Sequence, residues 1–307
     1  MRVLVTGGAG FVGANLVDYL LDRGHEVVAL DDLSAGARPA WWGHDSRPTS
    51  VAASIEDEAA VQQAMDGVDG VVHLAARPGV ADSVDRPDLD FRTNVLGTFT
   101  VFDAARRANV SRFVFASSGA VLAAASPPLR EDMAPAPKSP YGASKLYGEG
   151  ITAAGDAFGM VGLSLRFSNV YGPHCGHKKS VIASFLSRAL AGQPLVVYGD
   201  GQQTRDFIYV EDICAAIDRA LGAGEGGVYH LGTGVETSVN ELADRVIAAA
   251  GTRVEVERQP PRPADATRSF VEYEAARKAL GWSPRIRLDE GLARTAEWMR
   301  SSRRQEA

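Results

Sequence analysis

Val3-Leu4-Val5-Thr6-Gly7-Gly8-Ala9-Gly10-Phe11-Val12-Gly13 decides the fold. An aliphatic run forms a short strand, glycines break it, and a helical pattern starts near Asn15. Gly8-x-Gly10-x-x-Gly13 is the spacing at which bare backbone approaches a pyrophosphate at a helix amino terminus. A ligand-free strand–turn–helix corner can use the same glycines. The two readings separate further along, where a second strand from Glu26 to Leu30 ends at Asp31. That acid lies about 20 residues on, where a dinucleotide fold places its ribose-binding carboxylate. Strand, glycines, helix, strand and acid therefore occur in the order that a dinucleotide site requires.

Outward from this segment, short apolar runs alternate with helical stretches. Strands are expected at Arg2–Thr6, Glu26–Leu30, Gly70–Leu74, Arg112–Ala116 and Gly162–Phe167. Helices are expected near Ala14–Arg23, Glu58–Met65, Asp90–Ala108 and Tyr141–Phe158. This rhythm predicts an α/β fold with a doubly wound parallel sheet of Rossmann type and a smaller C-terminal substrate-binding lobe. Residues 1–167 form the expected dinucleotide domain and 168–307 most of the lobe. A stretch at about 210–233, including Asp212–Leu221 and Val228–Leu231, is expected to return to the sheet.

Bulk properties narrow the function. The 307 residues are 45% hydrophobic and 23% charged, as in an ordinary globular protein. A net charge of −6 carries no sign of a nucleic-acid footprint, which needs a clustered basic face. Apolar stretches are only strand-length, so no membrane span is expected, and the first residues begin a strand rather than a signal peptide. Cys175 and Cys214 lack a CxxC or Cys/His ligand pattern and read as reduced thiols of a cytoplasmic protein. His174, Cys175 and His177 do not complete a metal site, so no metal is expected.

Tyr141-Gly142-Ala143-Ser144-Lys145 supplies the chemistry. On a helix, Tyr141 and Lys145 share one face. A phenol with a pKa of about 10 is a poor base, but an adjacent ammonium favours the phenolate. The strand Arg112–Ala116 runs into Ser117-Ser118 at the carboxyl edge of the sheet, where such folds bind ligands. From there Ser118 can hydrogen-bond the substrate oxygen whose proton Tyr141 takes.

With these residues in place, the chain resembles the extended short-chain dehydrogenase/reductases, and among them the UDP-glucose 4-epimerase group of nucleotide-sugar enzymes. The resemblance runs through His73-Leu-Ala-Ala76, Asn94-Val-Leu-Gly-Thr98, Ser117-Ser118 and Tyr141-x-x-x-Lys145. It continues through Arg166-Phe-Ser-Asn-Val-Tyr-Gly-Pro173, Tyr198-Gly-Asp-Gly-Gln-Gln-Thr-Arg-Asp-Phe207 and Arg262-Pro-Ala-Asp265. It implies NAD held by Gly7, Gly10, Phe11, Val12, Gly13, Asp31, Asp32, Ser54 and Ile55. Leu74, Ala75 and Ala76 would pass under the cofactor. Asn94, Ser117, Tyr141 and Lys145 would complete its site. Asp31 favours NAD over NADP, since a carboxylate repels a 2′-phosphate. Catalysis would fall to Ser118, Tyr141 and Lys145. Asn169, Arg205 and Arg262 would grip a diphosphate, Val196 and Tyr198 would pack a uracil, and Val181, Asp265 and Ser269 would line the substrate pocket. The resemblance also implies a UDP-sugar partner and a homodimer built on the helices around Asp90–Ala108 and Tyr141–Phe158. Three positions depart from the pattern: Ser54 replaces an adenine-contacting acid, Pro78 a lysine of some epimerases, and Leu122 a tyrosine.

The hydroxyl motif bears on the reaction. Related 4,6-dehydratases carry an Asp-Glu pair after the catalytic hydroxyl residue, and related decarboxylases keep the glutamate. Here those positions are Gly119 and Ala120. The site is left equipped for reversible oxidation and reduction at one carbon, which points to 4-epimerisation. Another NAD-dependent nucleotide-sugar oxidoreductase, dehydratase or decarboxylase, or a non-catalytic NAD-binding protein, are the rival readings. A small Ser269 leaves room for a 2-acetamido group, whereas Lys178 or Lys179 could attract a uronate carboxylate.

Overall fold

The computed structural model describes residues 1–34, 38–43, 48–176, 180–261 and 267–306, with side chains to 302. Its centre is a seven-stranded sheet. Six strands are β1 (Arg2–Thr6), β2 (Glu26–Asp31), β3 (Thr49–Ala52), β4 (Gly70–His73), β5 (Arg112–Ser118) and β6 (Val161–Phe167). The seventh, Gly227–Leu231, pairs with β6, and the order across the sheet is Gly227–Leu231, β6, β5, β4, β1, β2, β3. Every pairing is parallel. Parallel strands are covered on both faces, so their side chains feed two cores. Val3 and Val5 pack with Leu16, Val17 and Leu20 of helix α1 (Phe11–Asp22), while Leu4 packs on the other face with Val61, Phe102 and Phe113. The expected doubly wound sheet is present.

Local differences from expectation have physical causes. β3 escapes the hydrophobic pattern because it is a four-residue edge strand with partly exposed side chains. The stretch expected as one helix over Asp90–Ala108 begins with a π-helical segment, Phe91–Gly97, and becomes α-helical only over Thr98–Arg107. There Thr98 donates its hydroxyl back to Asn94 O at 2.7 Å, and Gly97 lies so close to Ile55 that an added Cβ would sit 2.6 Å from Cδ1. The Tyr–Lys helix spans Pro140–Ala153, with Pro140 in its first turn and Ser139 accepting from Gly142 N at 3.1 Å. It continues to Phe158 as a 3₁₀ turn. Gly148 lets this helix lie directly on β5, because a Cβ there would sit 2.1 Å from the Phe115 ring.

Beyond Phe167 small strand pairs replace the long rhythm. Asn169–Tyr171 pairs with Phe207–Tyr209, Leu195–Tyr198 with Val256–Gln259, and Thr204–Arg205 with Thr237–Ser238. Asp206, fully buried, ties these to the central sheet. Its carboxylate accepts from Thr233 N and Oγ1 at 2.9 and 2.7 Å and from Gly234 N at 3.0 Å. The helix Val210–Leu221 covers the same sheet face as α1.

Candidate functional site

The carboxyl edges of β1, β4 and β5 converge on the glycine turn. Gly7 adopts φ 69°, and a Cβ on it would sit 2.8 Å from Ala75 N, so only glycine allows the first turn to cross the loop after β4. A Cβ on Gly13 would sit 2.0 Å from Gly7 O. Gly10 precedes α1 without a capping side chain, and no acid lies in the first helical turn. A dinucleotide pyrophosphate fits this corner, whose helix end carries positive dipole and no competing carboxylate. Asp31 accepts from Ala9 N at 3.0 Å and from Leu33 N at 2.7 Å, bracing the glycine loop. Partial burial raises its pKa against these hydrogen bonds. Asp32 is exposed and caps Ser34 N at 3.0 Å, Ser54 accepts from Glu56 N at 3.1 Å, and Ile55 is buried against Gly97.

A directional hydrogen-bond chain supports the floor of the site. Thr98 spends its only hydroxyl hydrogen on Asn94 O, so in its 3.0 Å contact with His73 Nε2 it must accept. His73 therefore carries its proton on Nε2, and Nδ1 accepts from Thr6 Oγ1 at 2.7 Å. Thr6 Oγ1 in turn accepts from Ala75 N at 3.3 Å. His73 is neutral and satisfied at both nitrogens, and burial followed by the charge of Lys145 lowers its pKa to about 3. Asn94 completes the support by accepting from Arg77 N at 2.8 Å and donating to Arg77 O at 3.1 Å. Leu74, Ala75 and Ala76 are thereby fixed between two anchored ends. His73 stood in the quoted sequence motif, but its role depends on Thr98, 25 residues away.

Ser118 ends β5 and caps a 3₁₀ turn, Gly119–Leu122, by accepting from Ala120 N at 3.2 Å. Its hydroxyl hydrogen remains available and faces Tyr141, where it favours the phenolate. Lys145 donates from Nζ to Ala116 O at 2.8 Å and lies 5.7 Å from the Tyr141 ring centroid. Burial lowers its pKa to about 8, against a smaller rise from Asp90. The expectation that Lys145 brings Tyr141 into range is not met here: burial raises the Tyr141 pKa, the Ser118 hydrogen bond opposes the rise, and Asp90 adds to it. Leu122 is fully buried with Leu129 and Val271, which explains why that position is apolar. Ser117 points its hydroxyl to Glu149 Oε1 at 2.5 Å. Glu149 is gripped by Arg166 through 2.7 and 2.8 Å bonds. Neither Glu149 nor this use of Ser117 was anticipated.

The expected substrate residues occupy the second half. Asn169 donates its side-chain amide to Asp206 O at 3.2 Å, and Arg205 precedes the buried Asp206. Val196 and Tyr198 lie on the strand Leu195–Tyr198, and Val181 opens the helix Val181–Leu190. Ser269 pairs with Thr204 and Asp206 through its backbone at 3.2 and 3.0 Å. Arg262 and Asp265, like His177, Lys178 and Lys179, lie outside the described residues. Among the described residues no group of three or more His, Cys, Asp or Glu gathers to hold a metal, and no helix is long and apolar enough to cross a membrane.

Comparison with known proteins agrees with this geometry. The family model for the NAD dependent epimerase/dehydratase family matches residues 3–232. The chain is 40% identical to a UDP-glucose 4-epimerase of Mycolicibacterium smegmatis, over 98% of this chain and 99% of that one. It resembles the crystal structure of a UDP-glucose 4-epimerase from Thermotoga maritima with UDP-glucose, at 34% identity and a TM-score of 0.92, covering 98% and 99% of the two chains. It also resembles the Thermus thermophilus UDP-glucose 4-epimerase complexed with NAD, at 37% identity and a TM-score of 0.89, covering 98% and 100%.

The neutral His73 has a consequence for acid stability. Its pKa of about 3 in the fold lies below its ordinary value of 6.5, so as pH falls the unfolded chain protonates first and folding weakens. Each pH unit below about 6.5 costs up to ~1.4 kcal/mol from this group. Asparagine at 73 cannot titrate. The stability gap between wild type and His73→Asn, measured by denaturant unfolding, should therefore narrow by about 2 kcal/mol between pH 6.5 and pH 5. A gap independent of pH would contradict the assignment.

Proposed function

As a member of the NAD dependent epimerase/dehydratase family, the chain is an NAD-using enzyme, and we propose that it inverts C4 of a UDP-sugar of the glucose/galactose type. One observation supports this reading most strongly. Ser118 and Tyr141, with Lys145 beside them, are followed on the Ser118 side by Gly119 and Ala120 rather than by carboxylates. Elimination of water would need a further acid and base after Ser118, and decarboxylation a further acid. Oxidation and reduction at one carbon need neither.

In this mechanism Tyr141 takes the proton of the C4 hydroxyl while Ser118 donates a hydrogen bond to the same oxygen. Bound NAD⁺ supplies a hydride acceptor and a positive charge. That charge matters because burial holds the Tyr141 pKa up and brings that of Lys145 down to about 8. Asn169, Arg205 and Arg262 hold the diphosphate, so the 4-keto sugar can rotate without leaving. Tyr141 then returns its proton to the same oxygen of the rotated sugar, with bound NAD able to give back the hydride. Asp31 selects NAD over NADP by its charge. Residues 1–167 with 210–233 carry the cofactor, and the rest of 168–307 carries the sugar nucleotide. A cytoplasmic location fits a chain whose two cysteines are buried and form no disulfide.

Dimerisation through the helices near the site fits the surface. Val84, Phe91 and Phe99 are 60%, 53% and 47% exposed on neighbouring elements. Large apolar side chains exposed in this way favour burial against a second copy. Phe99→Glu should convert a sedimenting dimer to monomer, and a monomeric wild type would exclude this interface.

Purified protein without added cofactor should interconvert one of UDP-glucose, UDP-N-acetylglucosamine or UDP-glucuronate with its C4 epimer. Tyr141→Phe should lower that rate by about 10²- to 10⁴-fold while bound NAD is retained. Near-normal turnover by the variant, or NADH accumulating in step with product, would overturn the proposal.

A further inference from the structure

Buried charges need partners, and those of the described residues can be matched one by one. The buried charged side chains are Asp90, Lys145, Glu149, Arg166, Asp206 and Asp212. Glu149 is neutralised by the two-pronged grip of Arg166. Asp206 accepts from Thr233 and Gly234 amides, and Asp212 from Arg285 N and Ile286 N at 3.0 Å. Asp90 and Lys145 remain. Asp90 is 3% exposed and Lys145 5% exposed, and neither makes an ion pair with a described residue. The segment Pro87–Asp90 packs against the Tyr–Lys helix, and the Asp90 charge acts on both Tyr141 and Lys145.

We propose that Asp90 is a positioning residue of the Tyr141–Lys145 pair: its carboxylate is the counter-charge of the buried Lys145 ammonium and, through Asn94, steadies the loop beneath the cofactor site. The second half of this role is direct. Asp90 Oδ1 accepts from Asn94 Nδ2 at 2.8 Å, which leaves Asn94 Oδ1 facing Arg77 N. The first half follows from elimination, since no other buried acid among the described residues is free of a cation or a backbone cradle. Other charges near Asp90 are solvated. Asp85, Arg86, Asp88 and Arg92 are exposed, and Asp82 pairs with Arg77 at 3.1 Å on the surface. On the Tyr–Lys helix its charge acts on Tyr141 and Lys145, Glu149 is paired with Arg166, and His73 behind them is neutral.

The sign of the effect is distinctive. An anion at 90 favours the Lys145 ammonium and disfavours the Tyr141 phenolate, so it raises both pKa values. Asp90→Asn keeps an oxygen for Asn94 and removes only the charge. Both limbs of the pH–activity profile should then move to lower pH, on the order of one unit. A loosened loop would instead lower the height of the profile and leave its position.

This inference rests on the Tyr–Lys reading, so the decisive readout does not need turnover. Tyrosinate absorbance of the NAD-bound protein, taken as the difference from its Tyr141→Phe counterpart, reports the Tyr141 midpoint directly. That midpoint should fall in Asp90→Asn and in Asp90→Ser, and return to the wild-type position in Asp90→Glu. An unchanged or raised midpoint in whichever neutral variant folds would overturn the proposal, as would a glutamate variant that behaves like the neutral ones. An active Tyr141→Phe enzyme would refute the epimerase mechanism instead, and leave this titration to be judged by its own midpoint.

Discussion

Arg166 on β6 grips Glu149 on the Tyr–Lys helix with two short bonds in the interior, and Ser117 on β5 donates to the same carboxylate. Three elements are thereby fixed to one another behind the site. Glu149 lies four residues after Lys145, and Lys145 four after Tyr141, so the grip sets the rotation of the face that carries the chemistry. Gly148 lets that helix approach the Phe115 ring. Ser118 follows Ser117 on the next step of the strand and points the other way, toward Tyr141. A buried ion pair of this kind adds little net stability compared with apolar packing, but losing one partner is expensive, about 3–5 kcal/mol. Its value here is geometric.

The opposite wall is built by different means. Around His73 the cofactor floor is held by neutral groups, in a chain whose direction is set by one hydroxyl hydrogen on Thr98. A charged His73 would break that chain, because Nδ1 would no longer accept from Thr6. Burial is therefore useful rather than merely tolerated: it keeps the imidazole neutral beside the Lys145 ammonium. The two walls meet at Tyr141 and Lys145, one held by the Arg166–Glu149 pair and the other by the His73 hydrogen-bond chain and the Asp90–Asn94 contact.

Much of this was legible in the chain because the relevant signals are local. Glycine spacing, alternating apolar runs and the Tyr141–Lys145 interval each lie within one or two elements. β1, β2 and β4 to β6 accordingly fall close to their expected places. What escaped depends on contacts across the fold. β3 is a polar edge strand with little pattern of its own, and the π-helical segment at Phe91–Gly97 reflects the fit of Gly97 against Ile55. Glu149 looks like an ordinary helix-surface acid until β6 brings Arg166 to it. Asp90 looks like one more acid in an acidic stretch until burial removes it from solvent. The Tyr–Lys interval alone likewise leaves out burial, which holds the phenol pKa up and brings that of Lys145 down to about 8.

The central claim is that the hydrogen leaving C4 is the one that comes back. UDP-glucose deuterated at C4, turned over without added cofactor in ordinary water, tests it most directly. Product UDP-galactose should retain the label at C4, with no solvent hydrogen incorporated at C4, C5 or C6. Loss of the C4 label to solvent, its appearance at C6, or a deoxysugar product would contradict the account.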